Sequence, residues 1–422
     1  MWLTDRSRYV TGFECPRRRY LKYHSGDSGY GISRKRTYVP LATGTFVHAG
    51  LEQILRKGPD RAGVREIIST QAGNYAKLVE SRPLNGYDPQ EQEFIAQEQS
   101  VLIQGMIWAW YRVMYPIIQK EFEIVAIEQE EQFVAGCSCG RGIHPSGHLE
   151  ACSGIMEMSR PDCILRRKED GRLGTHDFKT ASSVSDAWIE EWRTSIQMLV
   201  GSVGAELRLG EDINHFYMHG LLKGSRGFFK KGGENLPYKR QYSHLCYAKI
   251  TPPSPPAKRG TTWSTAGYWA DKLPLWRADF VQKPPEMSIP EFWVMECLAK
   301  EQLDDCFILV GPYERDRSMV ETFCREMVAE EERWVRNLWT VYGAKESKED
   351  VESTLDRIFP RSYKCTSYSS TCEFNDICFY RTGWRDPIGS GLYEQRLPHH
   401  TPEAEQAKSR GIDLPLQPWE EE

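Results

Sequence analysis

The sequence predicts an α/β protein in which a central mixed sheet is flanked by helices, and three observations predict it. Two β-like segments, Pro161 to Leu165 and Gly174 to Phe178, stand close together and are split by the turn-forming run Lys168-Glu-Asp-Gly171. An amphipathic helix follows over roughly Val184 to Glu206, where Trp188, Trp192, Ile196, Leu199 and Val203 recur at three- and four-residue steps. His215 to Leu222 then reads as a further strand.

The remaining elements fall in place around these. The first 60 residues read as a short helix around Arg6 to His24, a Gly/Ser loop, and a second helix from about Thr43 to Lys57. In that second helix His48 and Glu52 are four apart and share a face. Residues 90–118 form a long helix. Its apolar stretch Val101 to Ile118 is interrupted by Gln104, Arg112 and Pro116, which suits a buried helix better than a membrane span. Glu121 to Val134 alternates as a strand, with Ile124, Ala126 and Ile127 inward, and a Gly/Cys/His-rich hairpin follows at 136–154.

Residues 224–285, with basic glycine turns and the run Thr251-Pro-Pro-Ser-Pro-Pro256, read as a surface elaboration. A long helix from Ser318 to Tyr342 carries the stripe Val320, Phe323, Met327, Trp334 and Leu338. The Pro-rich end, closing on Trp419-Glu-Glu-Glu422, reads as a loosely held tail. Four regions follow: a core over 1–215, an irregular or β insertion over 216–290, a helical C-terminal region over 291–385, and an extended tail over 386–422.

With 422 residues the chain can bury a sizeable core. Its formal net charge of −5 would repel phosphates in bulk, so any nucleic-acid contact must come from a local patch. Arg17, Arg18, Arg19 and Lys22 form one and are candidate DNA contacts. The start MWLTDRSRYV lacks the apolar core of a signal peptide, which points to the cytoplasm and away from membranes. In that compartment twelve cysteines favour metal ligation or buried thiols over disulfides.

The strongest chemistry lies in Arg160-Pro161-Asp162-Cys163-Ile164-Leu165 and His176-Asp177-Phe178-Lys179-Thr180. Side chains alternate along a strand, so Asp177 and Lys179 project to one side with Phe178 opposite. If the Asp162 strand pairs beside it, the two carboxylates face each other. Their repulsion is relieved by a hard divalent cation with oxygen ligands, Mg²⁺ or Mn²⁺. Such an ion polarises a scissile phosphate and acidifies a bound water, while Lys179 stabilises developing charge or orients the nucleophile. The plainer alternative is a hairpin whose solvent face carries charges.

In this order the residues resemble the PD-(D/E)XK nucleases of the RecB and Cas4 type, including phage-type exonucleases. Phe13-Glu-Cys15-Pro-Arg-Arg-Arg-Tyr20 resembles the family's Cys-Pro-Arg-Arg element, and Gly44-Thr-Phe-Val-His48-Ala-Gly-Leu-Glu52 its Gly-x-x-x-His helix. Ile127-Glu128, Arg160-Pro161-Asp162 and Asp177-Phe-Lys179-Thr180 follow. Gln197 takes the place of the Gln in a Gln-x-x-x-Tyr motif, with Gly201 where Tyr is expected. The likeness spans roughly residues 1–205 and 360–380. It implies a restriction-endonuclease-like core in which His48, Asp162, Asp177 and the Phe178 carbonyl bind metal. It further implies that Lys179 is catalytic, Gln197 positions the strand, and DNA ends or single strands are the substrate.

Cys365, Cys372 and Cys378 fall within fourteen residues rich in turn formers, where they are poor core material. A fourth thiolate would complete a Cys₄ set. The resemblance supplies Cys15 and a [4Fe–4S] cluster joining the two ends, with zinc the rival occupant. Cys137, Cys139, His144, His148 and Cys152 lie inside sixteen residues. A zinc knuckle on Cys137, Cys139, His148 and Cys152 is one reading of them, and reduced thiols in a hairpin the other. Cys163, Cys246, Cys297, Cys306 and Cys324 read as scattered buried thiols.

The reading is therefore a metal-dependent DNA nuclease, an exonuclease by resemblance, working in recombination, repair or phage DNA processing. The chain has no Gly-x-x-x-x-Gly-Lys-Ser/Thr motif, so a helicase or recombinase partner would have to supply unwinding. Two alternatives stand beside it: a Cas4-like CRISPR adaptation nuclease, and a catalytically silent iron–sulfur protein that binds nucleic acid.

Overall fold

The computed structural model describes residues 2–412 except 27–28, 86–88, 140–141, 146–153, 182–183, 194, 224–227, 230–234, 237–283, 298–299, 305, 348, 363–364, 368–369 and 382. The chain opens with strand β1 (Trp2–Asp5) and helices α1 (Arg6–Glu14) and α2 (Pro16–Tyr23), then β2 (Ile32–Arg34). Three helices follow, α3 (Val39–Lys57), α4 (Arg61–Ser81) and α5 (Pro89–Glu121). Strands β3 (Phe122–Ile127), β4 (Glu131–Cys137), β5 (His144–Pro145), β6 (Gly154–Ser159), β7 (Cys163–Arg167) and β8 (Leu173–Ala181) come next. Helices α6 (Asp186–Arg193), α7 (Ile196–Val200) and α8 (Val203–Leu209) lead into β9 (His215–Leu222).

The main sheet is mixed, as expected. It has five strands, in the order Phe307–Glu314, β9, β8, β7, β3. Only β8 and β9 run parallel, and the helices between them make the crossover that such a pair requires. Alternation along these strands assigns the two faces. Phe178, Tyr217 and Leu221 pack into a core with α3, α4 and α5, which contains the fully buried Trp108 and Trp110. Phe216 and Met218 point the other way, into a second core with Leu199, Val203 and the helix Arg317–Glu346. A smaller sheet, β1-β6-β4-β5, flanks that side. No helix among the described residues is long and apolar enough to cross a membrane.

Several expected elements are divided, each for a local reason. The first helix breaks at Cys15, which is extended because Pro16 disfavours helical geometry in the residue before it. Glu121 to Val134 splits into β3 and β4, which belong to different sheets, and Glu128 between them takes a left-handed φ of 45°. A register shift within β3 turns Ile124 outward, 38% exposed, whereas Ala126 and Ile127 stay inside. Val184 to Glu206 becomes three short helices. Ser195 caps α7 by accepting the Gln197 N–H, a hydroxyl contact that competes with continuous helix.

Strand β9 also corrects the expected boundary at 215, because it is central to the main sheet and pairs with Phe307–Glu314 beyond the supposed insertion. Most of that insertion lies outside the described residues, as do Cys246 and residues 413–422. Cys163, Cys306 and Cys324 are buried thiols.

Two further expectations are overturned by buried ion pairs. The tail read as extended contributes a strand, Tyr393–Gln395, paired to β2, and a helix, Thr401–Ser409. Glu403 of that helix is buried against Arg8, so residues up to 412 are anchored. The expected basic patch is also half interior. Arg19 is fully buried, 2.6 Å from the equally buried Glu331 and stacked 4.2 Å over Trp334. Arg17 donates to the Phe359 carbonyl at 2.9 Å and pairs with Asp356 at 2.7 Å. Neither has a face to offer a phosphate. Arg18 and Lys22 stay partly exposed, each 3.7 Å from Glu373.

Removing one partner of a buried pair leaves an uncompensated charge. Arg19→Ala is therefore expected to lower unfolding stability by about 3–5 kcal/mol, read as an earlier midpoint in urea. An unchanged midpoint would show that the pair is not what ties α2 to the long C-terminal helix.

Candidate active site

Three acidic residues stand in one row across three neighbouring strand ends. Strands β3 and β7 pair with Ile127 opposite Cys163, and β7 and β8 with Cys163 opposite His176. One step further along both ladders come Glu128, Asp162 and Asp177. Backbone and side chain hold this row together: the Glu128 N–H donates to the Asp162 carbonyl at 2.9 Å, and the Phe178 N–H to the Asp162 carboxylate at 2.6 Å. His48 reaches in from α3, with Nδ1 3.6 Å from the Asp162 carboxylate. His48, Glu128 and Asp162 can each offer a donor atom within 4.8 Å of the others.

Strand alternation supplies the rest. Phe178 turns into the core against His219 and Trp110, while Asp177 and Lys179 point together into the cleft. Lys179 Nζ lies 3.0 Å from the Asp177 carboxylate. The cleft holds about 950 Å³, within the range of ligand sites.

Electrostatically the row is crowded. Burial, then the neighbouring Asp162, push the Glu128 carboxyl up to about 8, with Arg160 at 3.1 Å pulling the other way. Burial and Asp177 likewise raise Asp162, against Lys179, His48 and the Phe178 N–H. Burial works against charge on Lys179 too, but Asp177 and Asp162 outweigh it and hold the ammonium above its ordinary value. Carboxylates that resist ionising together, beside a neutral-capable imidazole, form a hard, oxygen-rich donor set. It fits a divalent cation of the Mg²⁺ or Mn²⁺ kind.

Gln197 donates its side-chain amide to Asp177 and accepts from Arg6 at the head of α1. A chain of contacts thus runs from the N-terminal helix to the acid. Gly201 closes α7 one turn later, where a Cβ would stand 2.5 Å from the Gln197 carbonyl oxygen, so a tyrosine would not fit here without a shift. The cleft lining also includes His399 and His400. His400 Nδ1 is 2.8 Å from Glu130, and burial together with His400 lowers His399 to about 4.

Of these residues, sequence reasoning assigned His48, Asp162, Asp177, Lys179 and Gln197 to the site and missed four. Glu128 had a signal, since it ends the strand before Asp162. Arg6, His399 and His400 had none, because only folding brings the termini to the cleft.

Cys15, at the break between α1 and α2, is near enough to Cys365 and Cys378 to influence both thiols, but among the described residues Cys15, Cys365, Cys372 and Cys378 do not gather at metal-ligating distance. Burial and then Cys15 raise the Cys365 thiol; burial raises Cys378 to about 11, with Cys372 and Cys15 adding to the shift and Arg17 opposing it. Cys137 and Cys139 gather with His144, while His148 and Cys152 lie outside the described residues.

Residues 6–247, more than half of the chain, match the family described as the PD-(D/E)XK nuclease superfamily. No curated protein matches the chain.

The raised carboxyl of Glu128 has a pH consequence. From the ordinary carboxylate range up to about 8 the folded chain holds a proton there that a bound cation must expel. Mn²⁺ affinity, measured by calorimetry, is therefore expected to climb with pH and level off above about 8, and Glu128→Gln to flatten that climb. The same sign makes this residue's contribution to folding stability decline over that window. Equal slopes for wild type and variant would exclude Glu128 from the cation site.

Proposed function

The chain belongs to the PD-(D/E)XK nuclease superfamily, and on that premise we propose that it is a Mg²⁺- or Mn²⁺-dependent deoxyribonuclease acting as an exonuclease on DNA ends. The superfamily implies metal-dependent nuclease activity. The observation that carries the metal-dependent part of the reading is the acidic row Glu128, Asp162 and Asp177 in register, with Lys179 beside it.

In this reading His48, Glu128, Asp162, Asp177 and the Phe178 carbonyl hold the cation. Bound there, it supplies Lewis acidity toward a phosphate oxygen and a lower pKa for a water. Lys179, kept as an ammonium by its two acidic neighbours, offers positive charge to the phosphate as negative charge builds up. Gln197 fixes the Asp177 carboxylate, and Arg6 fixes Gln197. Arg18 and Lys22 are the remaining candidates for backbone contacts. Action on ends, and a place in recombination, repair or phage DNA processing beside a helicase or recombinase, follow from the RecB and Cas4 likeness.

Cys15, Cys365, Cys372 and Cys378 complete the proposal as ligands of a [4Fe–4S] cluster. Drawn together, four thiols from opposite ends of the chain would make a soft donor set suited to it. Bound there, the cluster would serve as a cross-link between the α1–α2 break and the C-terminal segment.

Labelled linear DNA with Mn²⁺ tests the hydrolase. Asp177→Ala and Lys179→Ala are each expected to reduce cleavage by at least about 100-fold, the scale of losing a group that stabilises transition-state charge. Activity equal to wild type in both would remove the assignment. Anaerobic purification with an absorbance spectrum and iron count tests the cluster. A colourless, iron-free chain would overturn it and leave the nuclease standing.

A further inference from the structure

We propose that Cys137, Cys139 and His144 form a zinc site at the tip of the β4–β5 hairpin, separate from both the acidic cleft and the Cys15 group. Pairing of Val134 with His144 and Phe133 with Pro145 folds the chain back on itself. His144 thereby lies beside the end of β4, where Cys137 is the last strand residue and Cys139 sits in the turn. The three donor atoms all lie within 4.8 Å of one another. None of the three residues lines the cleft that holds the acidic row.

The atoms face each other in the sense a metal needs. His144 Nδ1 lies 3.0 Å from the Pro145 carbonyl oxygen, a contact that only a protonated Nδ1 can make as a hydrogen bond. The lone pair is then on Nε2, and Nε2 is the atom that faces Cys139 Sγ, at 3.8 Å. A hydrogen bond from the far ring nitrogen to a carbonyl is the usual device that fixes a ligating imidazole. The Cys139 N–H donates to Cys137 Sγ at 3.3 Å.

With Zn–S near 2.3 Å and Zn–N near 2.0–2.1 Å, the S···N edge of a tetrahedral site is about 3.6 Å. The observed 3.8 Å is close to it. Two thiolates and an imidazole are soft-to-borderline donors, which select zinc over the hard cations that suit the acidic row. Three protein ligands leave one tetrahedral position for a water or another donor.

The site would clip a short hairpin to a strand that has no slack. β4 packs against the long C-terminal helix so closely that a Cβ on Gly136 would meet Val328 at 2.6 Å. The two-residue β5 has little pairing of its own to hold it.

Metal content of the full chain, by mass spectrometry after extensive dialysis, tests this against Cys139→Ser, His144→Ala, Cys378→Ser and Asp177→Ala. About one zinc per chain is expected in wild type, kept in Cys378→Ser and Asp177→Ala. In Cys139→Ser and His144→Ala retention should weaken at least about tenfold, a loss that even an outer-shell change can produce. Cobalt substitution in the Cys378→Ser background gives a second readout: a thiolate-to-cobalt charge-transfer band, weaker in Cys139→Ser, with ligand-field bands shifted in His144→Ala. Should Cys139→Ser fail to fold, the cobalt spectrum of the parent decides, and absence of the thiolate band overturns the site. Zinc that stays in all four variants, or that leaves with Cys378→Ser alone, also overturns it.

Discussion

The row of carboxylates at the end of the main sheet is the constraint on which the rest turns. Strand register alone brings Glu128, Asp162 and Asp177 side by side, and partial burial makes their mutual repulsion costly. Every nearby group responds to it. Lys179 keeps its proton, Arg160 leans on Glu128, the Phe178 N–H turns to Asp162, and Gln197 donates to Asp177. A site that remains short of positive charge after all this has the electrostatic form of a cation receptor. Behind the row, Phe178 and the paired His176 and His219 are buried, and this packing holds Asp177 and Lys179 toward the cleft.

The second organising feature is the meeting of the chain's two ends around that cleft. Arg8 binds Glu403, Arg19 binds Glu331, and Arg17 binds the Asp356–Phe359 turn. The Arg8–Glu403 and Arg19–Glu331 charges are buried on both sides; such pairs add little net stability over apolar packing, but they tolerate few alternative partners. They therefore fix how α1 and α2 lie against the C-terminal segment. Arg6, held in this way, reaches Gln197, while His399 and His400 line the same cleft. The same arrangement sets Cys15 near Cys365 and Cys378.

Much of this was legible in the residues, and the divisions have physical reasons. β9 could be read because its apolar side chains face two different cores, and β8 because an apolar Phe178 alternates with the cleft-facing Asp177 and Lys179. α5 could be read as buried because its apolar run is too interrupted for lipid yet continuous enough for a helix. The break at Cys15 is readable in hindsight from Pro16. The three-way split of Val184 to Glu206 is not, because its apolar spacing is intact even where the Ser195 side chain caps α7. The basic patch misled for a different reason: Arg17, Arg19 and Arg18 are alike in sequence, and only distant Glu331, Asp356 and Phe359 decide that two of them turn inward.

By itself the sequence determined the chemistry: which residue types carry acid, ammonium and imidazole, and, through the strand period, that Asp177 and Lys179 share a face. Tertiary structure alone decided that Glu128 joins Asp162 and Asp177, and that Arg6, His399 and His400 line the same cleft. The physical reason is range. Side-chain alternation is set within a few residues by backbone geometry, whereas pairing across strands and between chain ends depends on partners tens to hundreds of positions away, whose identity no local pattern records.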